Sequence, residues 1–344
     1  MQKIGILTGG GDCPGLNAVI RAVVRKAINE NFSVVGFKNG WMGVTEGTGA
    51  ALDMNSVSGI LPKGGTILGT SRTNPVKAPD GLEKIKRTFD KFELHALIAI
   101  GGEDTLGVAR KLHDAGLNVV GVPKTIDNDL QGTDFTFGFD TAVNIATMAI
   151  DRLHTTAEAH NRVMVVEVMG RHAGWIAVYA GLAGGADCIL IPEEPFDIDQ
   201  VCELLKKRHS RGKNFSIVVV AEGAKLAEQE GGLVVQNLKK DAFGHARLGG
   251  IGNMLGEEIE RRTGFETRVT VLGHVQRGGT PTAFDRVLAS RFGVAAVELV
   301  VRGEFGKMVS LQGNKILAVS LDEAVKEIKT VDKELFSIAQ VFFG

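Results

Sequence analysis

The sequence predicts an α/β protein with two doubly wound, Rossmann-like lobes, and three observations support this prediction. Short runs of β-branched and apolar residues alternate with amphipathic stretches of helical length, which is typical of a parallel sheet covered by helices. The alternation occurs twice, once between residues 3 and 122 and again between residues 141 and 221. The chain has 344 residues, which is enough for one large or two medium-sized domains.

The predicted strands and helices form two series along the chain. The first series contains strand 3–8, helix 18–30, strand 33–37, strand 96–100, helix 108–116 and strand 118–122. The second series contains helix 141–160, strand 162–168, helix 173–185, strand 188–192 and strand 215–221. The stretch 225–252 shows neither a helical nor a strand period, so an insertion is predicted there.

Composition narrows the class of partner. Of the residues, 44% are hydrophobic and 23% are charged, and 39 basic against 40 acidic side chains give a net charge of -1. This balance favours small-molecule partners over nucleic acid or a membrane surface. No apolar run approaches a membrane span, and no secretory leader precedes the first strand. Cys13, Cys188 and Cys202 follow no disulfide or zinc pattern, so a cytoplasmic protein is expected.

Glycine is unusually frequent, at 45 of 344 residues, which indicates sharp turns and close approach of backbone to a ligand. The first glycine-rich loop, TGGGDCPGLN at 8–17, joins a strand to a helix. It directs the backbone N–H groups of Gly10 and Gly11 toward an anion. Its spacing matches neither the P-loop nor the dinucleotide fingerprint. Taken alone, the loop is compatible with phosphate binding and with a plain tight turn.

Two further loops carry charged side chains at the ends of predicted strands. GGEDT at 101–105 places Glu103 and Asp104 side by side. PKTIDND at 123–129 presents Lys124, Thr125, Asp127 and Asp129. Because several carboxylates beside a phosphate cradle would repel the ligand, we expect a hard cation, Mg²⁺, between them. A phosphoryl-transfer site is therefore indicated, and an Asx turn with capping carboxylates is the alternative for the PKTIDND loop.

The second lobe supplies cationic groups suited to a sugar phosphate. EVMGRHAGW at 167–175 again reads strand, glycine-rich loop and helix, with Arg171 at the loop centre. Guanidinium groups grip phosphate through paired hydrogen bonds. The other candidates are Arg162, Arg268, His274 and Arg277. For any one arginine considered singly, an ion-paired surface position is the alternative.

Six motifs occur in a specific order: TGGGDCPGLNAVIR, SRT at 71–73, IGGEDT, PKTIDND, VMGRHAG and VLGHVQRGG. Together they resemble the 6-phosphofructokinase family, from Lys3 to about Val301. The resemblance implies the phosphofructokinase fold. It also implies phosphoryl transfer to the 1-hydroxyl of fructose 6-phosphate, giving fructose 1,6-bisphosphate.

The resemblance assigns roles to individual residues. It implies that Asp127 accepts the proton of the sugar hydroxyl and that Arg171 stabilises the transition state. The residues implied to contact the transferred phosphoryl group are Gly11, Arg72 and Thr125. The residues implied to hold fructose 6-phosphate are Met169, Gly170, Glu222, His274 and Arg277.

Three further features follow from the same resemblance. Glu103 and Asp129 are implied to serve the magnesium ion. Arg162 and Arg268 resemble a pair that reaches across from a neighbouring subunit. A homo-oligomer, a dimer or a tetramer, with a shared substrate site is therefore expected.

The phosphoryl donor is indicated by departures from the ATP-dependent branch. That branch usually reads GGDGS in the second loop and has glycine where Lys124 stands. Asp104 and Lys124 together resemble the pyrophosphate-dependent branch, whereas Glu103 does not decide the donor. The Asp104 carboxylate would occupy the space of a nucleotide's α-phosphate and would repel its negative charge. Lys124 adds a positive charge that favours pyrophosphate. The donor-binding residues are thus expected to be Gly10, Gly11, Asp104 and Lys124.

The sequence predicts a donor lobe from residues 1–138 and about 276–325. A fructose 6-phosphate lobe is predicted from 139–275 and about 326–344. An ATP-dependent 6-phosphofructokinase is the first alternative. A non-catalytic sugar-phosphate sensor is the alternative of another class, and the presence of both Asp127 and Arg171 argues against it. A dinucleotide oxidoreductase is disfavoured because its glycine motif is absent.

Overall fold

The computed structural model of the chain describes residues 1–227, 235–240 and 246–344. Its strands are β1 (Lys3–Thr8), β2 (Ser33–Phe37), β3 (Gly49–Leu52), β4 (Leu94–Gly101), β5 (Val119–Pro123), β6 (Val163–Val168), β7 (Cys188–Leu190), β8 (Ser216–Ala221), β9 (Val235–Lys240), β10 (Ala246–Leu248), β11 (Thr267–Val271), β12 (Lys307–Gln312) and β13 (Lys315–Ser320).

The helices alternate with these strands. They are α1 (Leu16–Asn29), α2 (Trp41–Glu46), α3 (Gly81–Phe92), α4 (Glu103–Asp114), α5 (Phe139–His160), α6 (Trp175–Ala183), α7 (Ile198–Ser210), α8 (Ile251–Thr263), α9 (Ala283–Val301), α10 (Leu321–Ala324) and α11 (Lys333–Gln340). Two 3₁₀ helices cover Pro75–Lys77 and Gly273–Arg277.

Two sheets organise the protein. The larger has the order β13-β12-β5-β4-β1-β2-β3, and it is parallel except at its two edges, where β2 pairs with β3 and β12 with β13 in antiparallel fashion. The smaller has the order β11-β6-β8-β7 and is parallel throughout. The prediction of an α/β fold with two doubly wound lobes is confirmed.

The central strands form because their sequences are continuous apolar runs, which suits strands covered on both faces. Every residue of β5, β6 and β8 is buried. One hydrophobic core extends from β1 and β4 of the larger sheet to β6 and β8 of the smaller one. The two sheets are therefore joined by shared packing.

Close packing of α1 against α9 depends on a glycine. A Cβ atom at Gly293 would lie 2.7 Å from the Cβ of Ala22 and 2.8 Å from the Val19 carbonyl oxygen. Helix α9, which lies within residues 276–325, thus packs directly on α1.

The predicted insertion at 225–252 is only partly described, since residues 228–234 and 241–245 lie outside the described ranges. In the described part, β9 and β10 pair in antiparallel fashion as a separate two-stranded sheet. Helix α8 begins at Ile251. Within the described ranges, no helix combines the length and the apolar character that crossing a membrane requires.

Candidate active site

A cleft lies where the strands of the larger sheet end and face the smaller sheet. Thr8 of β1 pairs with Ile100 of β4, and Gly101 of β4 pairs with Pro123 of β5. The loops that leave these strands therefore start side by side. The predicted site residues that line the cleft are Gly10, Gly11, Arg72, Glu103, Asp104, Lys124, Thr125, Asp127, Asp129, Arg171 and Arg277.

The first glycine-rich loop lines the cleft through Gly10 and Gly11. Gly10 has a φ of +76°, a left-handed conformation that a side chain would strain. A Cβ atom at Gly11 would lie only 2.8 Å from Nη1 of Arg277. The same guanidinium donates a hydrogen bond of 3.3 Å to the Asp12 carbonyl oxygen. Glycine is thus needed here so that a cation can approach the loop.

Lys124 brings a second cation to this loop. Its side chain is only 3% exposed, and its ammonium group donates to the carbonyl oxygen of Gly11. Its backbone is fixed too, because its N–H donates to the Gly101 carbonyl oxygen at 3.0 Å. Burial lowers the pKa of Lys124 from its usual value, and the nearby positive charge of Arg277 adds to this effect. An anion bound at the loop would stabilise the charged ammonium.

The acidic pair of the second loop opens α4. Gly102 precedes the helix, and Glu103 and Asp104 occupy its first turn, where carboxylates are stabilised by the helix dipole. Thr105 is 1% exposed, and Cβ atoms at Gly9 or Gly101 would lie 2.6 Å or 2.3 Å from its side chain. Thr105 and Gly102 both line the cleft and were missed from the sequence, although both belong to the GGEDT motif.

The third loop carries two carboxylates, of which Asp127 is buried and Asp129 is half-buried. The Asp127 N–H donates to Oγ1 of Thr125 at 3.0 Å, and Asp127 is 5% exposed. Within the described ranges, its buried Oδ1 atom has no hydrogen-bond partner. Asn128 follows with a φ of +51°. Burial, together with the charge of Asp127, raises the pKa of Asp129 to about 7. The unpartnered oxygen is free to accept a proton or to bind a cation.

The smaller sheet contributes Arg171, which lines the cleft, and Glu222, which does not line it but contacts Arg171. The two lie together because β6 and β8 end in register, with Val168 paired to Ala221. Arg171 has a φ of +52°, and its N–H donates to Oε1 of Glu222 at 3.1 Å. Burial, and secondly the charge of Asp127, raises the pKa of Glu222 to about 7. Glu222 therefore lies close enough to Asp127 for the two negative charges to interact.

Several predicted residues do not line the cleft. Met169 is 8% exposed and Gly170 has a φ of +143°; both lie between β6 and Arg171. His274 is exposed in the 3₁₀ helix Gly273–Arg277. These three residues do not line the cleft themselves, but each lies within three residues of Arg171 or Arg277, which do.

Arg162 and Arg268 lie at the opposite end of the smaller sheet. Both contact the carboxylate of Glu266, with a distance of 2.7 Å from Nη2 of Arg162. Arg162 immediately precedes β6, whereas Arg171 follows it. The six residues of β6 rise about 3.3 Å each, so about 20 Å separates the two ends. Neither arginine lines the cleft of its own chain.

The fit of a magnesium ion can be judged from the donor set. Magnesium prefers oxygen ligands and is usually held by one or two carboxylates together with substrate phosphates. The cleft offers Glu103, Asp129 and the unpartnered oxygen of Asp127. Among the described residues, no cluster of three or more His, Cys, Asp or Glu could hold a metal by itself. The carboxylates suit a cation that arrives with a phosphate ligand.

The fold and the cleft define an α/β protein with a charged cleft at the carboxyl ends of parallel strands. Residues 3–300 match the family model described as phosphofructokinase. The chain belongs to the phosphofructokinase family.

Named relatives are similar over the full chain. A pyrophosphate--fructose 6-phosphate 1-phosphotransferase of Streptomyces coelicolor is 60% identical, and the match covers 100% of both chains. ATP-dependent 6-phosphofructokinase 2 of the same organism is 56% identical, over 99% of this chain and 100% of that one.

A solved structure of phosphofructokinase from Saccharomyces cerevisiae superposes with a TM-score of 0.83 at 32% identity. The superposition covers 99% of this chain and 47% of the yeast chain. The present chain thus spans about half the length of the yeast one.

Proposed function

We propose that the protein is a pyrophosphate-dependent 6-phosphofructokinase. It transfers a phosphoryl group reversibly from diphosphate to the 1-hydroxyl of fructose 6-phosphate, giving fructose 1,6-bisphosphate and phosphate. The observation that carries the proposal is that Lys124 and Asp104 line one cleft together with Gly10 and Gly11 of the glycine-rich loop. Relatives named for this activity, 60% and 61% identical over the full chain, also support it.

The donor follows from charge and space at that loop. Pyrophosphate is compact and highly charged, so its binding depends on cations, and the ammonium of Lys124 and the guanidinium of Arg277 both reach Gly11. Gly10 and Gly11 contribute backbone N–H groups to the same anion. Asp104 adds a negative charge in the first turn of α4, at the position where the resemblance to the ATP-dependent branch implies a glycine that leaves room for a nucleotide's α-phosphate. Pyrophosphate is favoured over ATP for both reasons.

The mechanism is in-line transfer between the two sides of the cleft. Asp127 accepts the proton of the sugar 1-hydroxyl, and its Oδ1 is available because no described residue donates to it. Arg171 faces the same cleft from the smaller sheet and stabilises negative charge that develops on the transferred group. Arg72 and Thr125 line the cleft and hold the phosphoryl group in position.

Glu103 and Asp129 would hold Mg²⁺ on the donor phosphates. The bound ion would neutralise phosphate charge and orient the donor. Burial and the charge of Asp127 raise the pKa of Asp129, so a cation bound beside it would favour its ionised form.

Fructose 6-phosphate is proposed to lie against the smaller sheet. Met169, Gly170 and Glu222 are at the ends of β6 and β8 on the side of Arg171. His274 and Arg277 share a 3₁₀ helix that approaches the first glycine-rich loop.

A homo-oligomer, dimer or tetramer, with a shared sugar-phosphate site accounts for Arg162 and Arg268. The length of β6, about 20 Å, separates these two cations from the cleft of their own chain. They would therefore bind the sugar phosphate in a neighbouring subunit's site. Residues 1–138 and about 276–325 would form the donor lobe, and the remainder the sugar-phosphate lobe. Three free, buried cysteines fit a cytoplasmic enzyme.

Product identity tests the proposal. Purified enzyme is incubated with pyrophosphate, fructose 6-phosphate and Mg²⁺, and phosphorus NMR follows the phosphate signals. The proposal predicts stoichiometric formation of fructose 1,6-bisphosphate and orthophosphate, and the reverse conversion when those products are supplied. Loss of pyrophosphate without a sugar bisphosphate would mean a pyrophosphatase and would refute the assignment.

A further inference from the structure

A short segment near the C-terminus joins the two sides of the cleft. We name residues 328–331 the strap. It follows α10, which succeeds strand β13 of the larger sheet, and it precedes α11, which packs near α6 and β7 of the smaller sheet. Its Val331 is 6% exposed and belongs to the shared core. The strap is thus anchored where the two sheets meet.

On the side of the larger sheet, Lys329 holds the loop that carries Asp127. Its backbone N–H donates to the Asp129 carbonyl oxygen at 2.9 Å. Its ammonium group donates to the carbonyl oxygens of Thr133 and Asp134, at 2.8 Å and 2.9 Å. Lys329 therefore connects Asp129, near the beginning of this loop, with Thr133 and Asp134 further along it.

The Asp134 carbonyl links Lys329 to the residue next to the base. It also accepts a hydrogen bond of 3.2 Å from Nδ2 of Asn128. Oδ1 of Asn128 in turn accepts from the Thr136 N–H at 3.0 Å, and Asn128 is 1% exposed. Asn128 adjoins Asp127 and has the left-handed φ of +51°. One of the two side-chain hydrogen bonds of Asn128 is therefore made to the same carbonyl oxygen that Lys329 binds.

On the side of the smaller sheet, the strap holds the helix that follows Arg171. The Lys329 carbonyl oxygen accepts from Nε1 of Trp175 at 2.9 Å, and the Lys329 ammonium lies 5.0 Å from the centre of the Trp175 ring. Oε1 of Glu193 accepts from the Val331 N–H at 2.9 Å and from the Gly174 N–H at 3.0 Å. Gly174 and Trp175 begin α6, directly after the loop of Arg171.

We propose that Lys329 is a positioning residue for phosphoryl transfer, which holds the Asp127 loop and the Arg171 loop at a fixed separation across the cleft. It does not line the cleft, so it acts through these loops rather than on the substrate. The inference rests on the proposed function, because the two loops matter only if Asp127 and Arg171 act on one reacting group. A displacement of about 1 Å between catalytic groups is enough to slow turnover by up to about a hundred-fold.

The test replaces Lys329 and measures steady-state kinetics with pyrophosphate. Lys329→Met removes the ammonium and keeps most of the side-chain length. We expect kcat per folded enzyme to fall about tenfold or more, with both KM values within about threefold of the parent. Lys329→Arg should recover most of the loss, because a guanidinium can donate to two carbonyls and stack on Trp175. If the methionine variant does not fold, Lys329→Gln, which keeps one donor group, takes its place.

Lys326→Met is the matched control. Lys326 is exposed in the same part of the chain and makes a backbone hydrogen bond to Glu323. The control should keep the parental kcat and KM. Equal losses in the Lys326 and Lys329 variants, or no loss of kcat in Lys329→Met, would overturn the proposal.

A double-variant cycle separates positioning from loss of stability. If Lys329 acts through Asp127, then Lys329→Met should have little further effect on kcat in an Asp127→Asn background. A fully multiplicative loss would contradict action through Asp127. Absence of pyrophosphate-dependent activity in the parent enzyme would instead refute the proposed function, so the two failures are distinguishable.

Discussion

Asp127→Asn removes the proposed base while it preserves shape. In the described structure nothing donates to the buried Oδ1 of Asp127, so an amide of the same size displaces no hydrogen bond at that atom. The fold should therefore persist, and fructose 6-phosphate should still bind. Turnover should fall by at least about a hundred-fold, the usual contribution of a positioned base. This loss corresponds to about 2.7 kcal/mol of activation free energy.

The charge removed by this substitution has a second consequence. Burial, followed by the charge of Asp127, raises the pKa of both Asp129 and Glu222 to about 7. A carboxyl group with a raised pKa binds its proton more tightly in the folded state, so the fold loses stability as pH rises from about 4 to about 7. Without the charge of Asp127 this loss should shrink. Asp127→Asn should accordingly be at least as stable as the parent at pH 8, in the absence of metal.

Stopped assays of fructose 1,6-bisphosphate formation give kcat, calorimetry gives the affinity for fructose 6-phosphate, and thermal melts at several pH values give the stability. Asp114→Asn is the control, because Asp114 is an exposed carboxylate at the end of α4. A folded Asp127→Asn enzyme with turnover close to that of the parent would remove Asp127 from the mechanism.

Three further predictions concern the donor, the subunits and pH. Asp104→Gly with Lys124→Gly should raise kcat/KM for ATP and lower it more strongly for pyrophosphate; retention of full pyrophosphate activity would show that both side chains are bystanders. Mixing inactive Asp127→Asn and Arg162→Ala subunits should restore part of the activity through hybrid sites, and a mixture that stays inactive after confirmed subunit exchange would exclude a shared site. Burial raises the pKa of Asp285 to about 6, so its ionisation costs folding stability on the order of 3 kcal/mol as pH rises from about 4 to about 6. Asp285→Asn should flatten that part of the stability profile in urea titrations; an unchanged slope would contradict the assignment.

The strands and the loops that follow them could be predicted because their signals are local. Each of the apolar runs that form β1, β4 and β5 is followed directly by a glycine-rich or charged motif. Because the carboxyl ends of parallel strands meet at one edge of a sheet, these motifs lie together. The region of Asp104 and Asp127 could therefore be located from the sequence alone.

Contacts between distant segments could not be predicted in this way. The strap has no motif, and Lys329 lies about 200 residues after the Asp127 loop that it holds. Glu193 likewise joins the beginning of α6 to the strap through two backbone N–H groups. Any lysine or glutamate in a polar stretch has the same local appearance, so only the folded arrangement distinguishes these two.

The central claim is that pyrophosphate is the phosphoryl donor. It is tested most directly by the ratio of kcat/KM for pyrophosphate to kcat/KM for ATP, measured on one preparation of the parent enzyme with fructose 6-phosphate and Mg²⁺. The charge of Lys124 and Asp104 in the cleft predicts a ratio of at least about a hundred, the equivalent of about 2.7 kcal/mol of donor discrimination. A ratio below one would contradict the account and identify the protein as an ATP-dependent 6-phosphofructokinase.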